Sequence, residues 1–229
     1  MGGFAGTEIA FASGKETARG YLALPPQGHG AGVLVLQEWW GLVDHIREIC
    51  DRLAREGFVA LAPDLYRGAS TGDPGEAGRL MMDLALPRAA ADLEGAAAAL
   101  LGHSAVDSAR LGAVGFCMGG QLALYAATRS PRIGAVVDFY GVHPNVRPDY
   151  QGMKAAVMGA FAERDAYVPA EAVRRLESEL RAAGVRTDFT IYPGVDHAFM
   201  NDTRPEVFDA VTAQRAWSRA LSFLRAELG

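Results

Sequence analysis

The residues Gly115-Phe116-Cys117-Met118-Gly119-Gly120 carry the clearest chemical signal in the chain. A strand-like run, Arg110–Phe116, precedes the cysteine, and a helical pattern, Gln121–Arg129, follows the glycines. That is the setting of a nucleophile elbow, a sharp strand-to-helix turn that lifts one side chain above the edge of a sheet. Such a turn holds its nucleophile in a strained backbone conformation, so its neighbours must be small, and Gly115 and Gly119 meet that need. The helix N-terminus adds free N–H groups and a positive dipole end, both of which favour a thiolate. No Gly-x-Ser-x-Gly occurs, so Cys117 has no rival serine. The plainer alternatives are a small buried thiol at a tight turn, or one end of a phosphate-binding loop. The glycines, however, do not form Gly-x-Gly-x-x-Gly.

A nucleophile of this kind needs an acid and a histidine later in the chain, in that order. Asp165 comes directly after the strand-like run Ala155–Phe161, and His197 follows the run Asp188–Tyr192. Both therefore belong to loops at the carboxyl edge of a parallel sheet, where open α/β folds bind ligands. The expected roles are general base for His197 and orienting carboxylate for Asp165. Asp138, at the end of the run Ile133–Phe139, is the runner-up acid. Asp196 adjoins His197 and is poorly placed to orient it. His103 and His143 read as solvated loop histidines. The oxyanion of an acyl-transfer step needs two backbone donors, one from the residue after the nucleophile, Met118, and one from the loop Gln37–Gly41.

Strand-like and helix-like segments alternate along most of the chain, which predicts a mostly parallel sheet of about eight strands with helices on both faces. Thr7–Ala12 and Ala18–Ala23 read as a hairpin turning at Ser13-Gly14-Lys15. Ala31–Leu36 and Phe58–Ala62 are continuous apolar runs, suited to strands buried on both faces. Between them a helix over 43–56 stops at Gly57. The stretch 64–87 reads as an irregular loop with a short helix inside it, followed by an Ala-rich helix from Pro87 to Leu101. A further helix spans 170–183. A closing helix from about Pro205 carries an apolar stripe of Val211, Trp217, Leu221, Leu224 and Leu228. Neither a repeat nor a linker interrupts the 229 residues, so one domain is expected.

Composition excludes several function classes. The formal net charge of −5 and the lack of a basic run argue against a nucleic-acid partner. No apolar stretch approaches the roughly 18 residues of a membrane span. Two cysteines cannot make a disulfide scaffold, and Cys50 falls on the apolar stripe of the helix over 43–56, as a buried core thiol. The five histidines show no ligand spacing and there is no Cys-x-x-Cys, so neither metal nor cofactor is expected. Met1–Lys15 lacks the charged and apolar regions of a signal peptide, and Gly6 stands where a myristoylation motif needs Ser or Thr. A cytoplasmic monomer is the expectation.

Four segments together resemble the dienelactone hydrolase (carboxymethylenebutenolidase) family. They are Gln37-Glu38-Trp39-Trp40-Gly41, Ala62-Pro63-Asp64-Leu65-Tyr66, the Gly115–Gly120 segment, and Gly194-Val195-Asp196-His197-Ala198-Phe199. The resemblance spans nearly the whole chain and implies the α/β-hydrolase fold with a Cys117–His197–Asp165 triad. It also implies Glu38 as a carboxylate that helps deprotonate the thiol, and the Trp39 N–H as the second oxyanion donor. One departure is visible. Family enzymes that cleave dienelactone bind its carboxylate with arginines, one of them four residues beyond the catalytic histidine. Here that position is Asn201, and the next arginine is Arg204. Tyr140, Arg79 and Arg204 are the candidate substrate contacts.

The resulting expectation is a hydrolase of small-molecule esters or lactones that works through a thioester acyl-enzyme. A thiolate is easily expelled from a tetrahedral intermediate, so activated leaving groups are favoured and amides are not. The alternatives are an acyltransferase or thioesterase on the same triad, or a non-catalytic ligand-binding member of the fold.

Overall fold

A computed structural model describes residues 6–229. The reading of Met1-Gly2, and of Met1–Lys15 as far as residue 5, lies outside them. The strands are β1 (Thr7–Ser13), β2 (Glu16–Ala23), β3 (Gly32–Leu36), β4 (Val59–Pro63), β5 (Leu111–Phe116), β6 (Ile133–Phe139), β7 (Ala156–Ala162) and β8 (Thr187–Tyr192). The helices are α1 (Asp44–Arg55), α2 (Pro74–Met82), α3 (Leu86–Leu101), α4 (Met118–Arg129), α5 (Ala170–Ala182) and α6 (Ala210–Leu228).

The eight strands form one sheet in the order β1-β2-β4-β3-β5-β6-β7-β8. β1 and β2 make an antiparallel hairpin, β2 pairs antiparallel with β4, and every later pairing is parallel. Strands β3 to β7 are buried along their full length, which is why they read as unbroken apolar runs rather than alternating ones. Helices α1 and α6 pack on one face, where Ile46, Ile49, Leu53, Trp217 and Leu224 join a core with Val33, Val35 and Val114. Helices α3, α4 and α5 cover the other face through Leu93, Leu100, Leu122 and Leu180. This is the α/β-hydrolase fold.

Local chemistry sets the boundaries. Gly57 and Gly184 take positive φ after α1 and α5, the left-handed geometry that ends a helix and favours glycine. The irregular 64–87 segment does contain one short helix, α2, started by Asp73, whose carboxylate accepts from the Glu76 N–H at 2.8 Å.

Two helix starts differ from expectation. α4 begins at Met118, directly after the cysteine, because Gly119 and Gly120 lie within its first turn despite their poor helix propensity. α6 begins at Ala210 rather than near Pro205. Asp209 caps it by accepting from the Thr212 N–H at 2.8 Å, while 201–209 runs through turns. Val211 is consequently not part of the packing stripe and is 80% exposed. Trp217, Leu221, Leu224 and Leu228 recur at steps of four, three and four, whereas Val211, six residues before Trp217, lies about 120° round a 3.6-residue helix from it.

Candidate active site

The carboxyl ends of β5, β7 and β8, with the loop after β3, converge on one cavity of about 570 Å³. Glu38, Trp39, Trp40, Cys117, Val142, Arg164, Tyr167, Asp196, His197 and Arg204 are among its lining residues.

Cys117 sits between β5 and α4 with φ 53° and ψ −124°, a conformation that costs energy for any residue with a side chain. The surrounding contacts hold it there. Its N–H donates to Phe139 O at 3.0 Å, and its carbonyl accepts from the Gly120 and Val142 N–H groups at 3.0 and 3.1 Å. The glycines earn their positions by close approach. A Cβ on Gly115 would collide with the Gly119 carbonyl, and one on Gly119 with the Leu36 carbonyl. Larger residues would push α4 off the sheet and move the sulfur. Met118 opens α4, so its N–H is one of the donors a helix leaves unpaired.

Asp165 is buried in the turn after β7. Its Oδ1 accepts from the Tyr167 and Val168 N–H groups at 2.8 and 2.9 Å. Its Oδ2 is thereby aimed at His197 Nδ1, 2.6 Å away. A carboxylate at that distance assigns the Nδ1 proton and leaves Nε2 for the sulfur. Burial opposes a positive charge on His197. Hydrogen bonding to Asp165 and to Cys117 outweighs it, and the imidazole pKa rises to about 10. The rings of Tyr140 and Tyr167 flank the imidazole at 5.0 and 5.1 Å between centroids.

Glu38 is not a solvated loop residue; it is 1% exposed. Its Oε2 accepts from Asn201 Nδ2 at 2.7 Å, while Oε1 is buried without a partner among the described residues. Asn201 cannot easily turn over, because its Oδ1 accepts from the Thr203 N–H at 3.1 Å and the Thr203 hydroxyl at 2.6 Å. The position four residues beyond His197 thus carries a neutral donor locked onto Glu38. The Glu38 oxygen without a partner shares the cavity with Cys117.

Several expected contacts lie elsewhere. Arg79 sits on α2, exposed and paired with Glu76 and Asp83 at 2.6 and 2.8 Å, and does not line the cavity. Tyr140 is wholly buried behind the imidazole and is not a cavity wall. Arg204 does line it, stacked over Trp40 at 5.7 Å and paired with Glu206 at 2.9 Å. Trp39 and Trp40 form an edge-to-face pair at 5.0 Å. Asp138 makes no bond to His197. It is buried where a Cβ on Gly120 or Gly141 would strike its carboxylate. His143 is buried rather than solvated, its Nδ1 accepts from the Asn145 N–H at 3.2 Å, and desolvation depresses its pKa. Arg164 and Tyr167 are lining residues that the sequence reading missed, and their adjacency to Asp165 was the available signal. Among the described residues no group of three or more His, Cys, Asp or Glu side chains could hold a metal ion, and no helix is long and apolar enough to cross a membrane.

Residues 18–228 match the model of the dienelactone hydrolase family. The chain belongs to that family. Family membership agrees with the fold and with an enzyme that hydrolyses carboxylic esters or lactones. A protein of Aquifex pyrophilus named "Protein usf" is 36% identical over 227 residues, covering 96% of this chain and 98% of its own. An Aquifex aeolicus protein with the printed name "Putative carboxymethylenebutenolidase" is 33% identical over 230 residues, covering 97% of this chain and 99% of its own. A solved structure called m3DLH superposes with a TM-score of 0.88 at 29% identity, covering 98% of each chain.

Proposed function

We propose that this dienelactone hydrolase family member cleaves activated carboxylic esters and enol lactones through a thioester on Cys117. The observation that carries the proposal is the 2.6 Å contact between His197 Nδ1 and Asp165 Oδ2 in the cavity that also holds Cys117. The proton shared by Cys117 and His197 rests on Nε2, so the sulfur stands ready as a thiolate beside an imidazolium. Glu38 supports that ionisation through its unpartnered oxygen. The sulfur attacks the carbonyl carbon, and the electron pair displaced onto oxygen is received by the Met118 and Trp39 N–H groups. Collapse breaks the bond to the leaving oxygen, which takes the proton from His197. Water then gives a proton to His197 and attacks the thioester, releasing the acid and restoring Cys117.

Sulfur narrows the substrates. Forward collapse requires a leaving group at least as good as the thiolate, which enol lactones, aryl esters and thioesters supply. The enzyme is proposed to act as one cytoplasmic, monomeric domain, where a reducing environment keeps Cys50 and Cys117 as free thiols. Turnover of p-nitrophenyl acetate tests the proposal. Cys117→Ala should lose essentially all activity, and Cys117→Ser should lose most of it, because a site tuned to a thiol ionises a hydroxyl poorly. Wild-type turnover surviving in Cys117→Ala would refute it.

A further inference from the structure

A second cavity, of about 700 Å³, adjoins the first, and the two share Val142 and Tyr167 as lining residues. The partition belongs to the loops that hold the reacting groups. The Val142 N–H donates to the Cys117 carbonyl at 3.1 Å, and the Tyr167 N–H donates to Asp165 Oδ1 at 2.8 Å. Tyr167 is 64% exposed, so the wall between the cavities is Val142 and one aromatic ring at the surface rather than packed core.

The charge of this second cavity is unlike that of the chain as a whole. Arg147 and Arg175 line it, and neither lies within 4.0 Å of a carboxylate oxygen among the described residues. Glu179 is the one acid in the lining, so the cavity carries a net positive charge in a protein of net charge −5. Two unpaired guanidiniums beside one carboxylate leave room for one further anion, and their fork of donors matches a carboxylate.

We propose that this cavity binds the anionic end of a long-tailed ester whose carbonyl lies at Cys117, the tail passing Val142 and Tyr167. The inference rests on the hydrolase reading above and adds a substrate class to it: half-esters of long dicarboxylic acids. Short acyl groups stay in the first cavity and gain nothing from the arginines.

Two measurements test it. In the first, p-nitrophenyl half-esters of dicarboxylic acids of increasing length are compared with the same compounds capped as methyl esters. Exposed charge pairs contribute modestly, so the long free acids should exceed their capped forms by about tenfold in kcat/KM, mainly through KM. The ratio should approach one in the Arg147→Gln/Arg175→Gln variant and shrink as salt rises. In the second, Cys117→Ala, which keeps both arginines, is titrated calorimetrically with monomethyl suberate and dimethyl suberate. The free acid should bind more tightly, by a similar factor. Equal affinity of the two, or an advantage that survives loss of both arginines, overturns the inference. Failure of the hydrolase reading would instead appear as no turnover of any ester, leaving the calorimetric result to decide the subsite.

Discussion

Asp138 offers a quantitative test of how the elbow is built. Its carboxyl is fully buried beneath α4, against Gly120 and Gly141. Desolvation raises its pKa from 3.8 to about 7, and neither carboxyl oxygen has a hydrogen-bond partner among the described residues. A raised carboxylic pKa means the folded protein holds a proton that the unfolded chain releases. Stability from this group is therefore complete below about pH 4 and falls as pH rises toward about 7, because the unfolded chain ionises freely over that window. Three pH units at 1.36 kcal/mol each give a loss of about 4 kcal/mol. Asp138→Asn mimics the protonated acid and cannot ionise. Urea unfolding of both proteins between about pH 4 and pH 8 should show the variant gaining on the wild type by about 3–4 kcal/mol across the range, levelling off above pH 7. Parallel curves for the two proteins would refute the reasoning, since a solvated or ion-paired Asp138 would give no such divergence.

Three further outcomes follow from the same geometry. NMR should show the His197 imidazolium persisting through neutral pH and losing its proton only near pH 10. Removal of the carboxylate in Asp165→Asn should bring that transition down towards the ordinary histidine range. The stability that His197 contributes is accordingly present below about pH 6.5 and lost as pH rises through about 10. Gly120→Ala should destabilise the fold by about 1–3 kcal/mol in denaturant titration, because the added methyl meets the Asp138 carboxylate and the Gly141 backbone. Trp217→Ala should cost about 3–5 kcal/mol, whereas Val211→Ser should stay within about 0.5 kcal/mol, one residue facing the core and the other water.

The elements that position the site were legible because their physics is local. Strands buried on both faces betray themselves as apolar runs, and glycines with positive φ mark where α1 and α5 end. The elbow was legible for a related reason: only glycines tolerate the backbone approaches around Cys117. What the sequence hid depends on three-dimensional closure. Tyr140 and His143 follow a strand end, and nothing in their spacing says that they turn inward. Arg79 lies in the irregular segment between β4 and α3, and its capture by Glu76 and Asp83 becomes visible only once α2 is placed. Asn201 stands in the sequence where an arginine would bind a substrate carboxylate, but its lock on Glu38 spans 163 residues of chain and leaves no local trace.

The most direct test of the account is rapid-quench mass spectrometry during turnover of p-nitrophenyl acetate. The account predicts that the chain transiently gains one acetyl group, mapped by peptide analysis to Cys117, as nitrophenol is released in a burst. Efficient turnover with no acyl adduct, or with the acyl group on another residue, would contradict it.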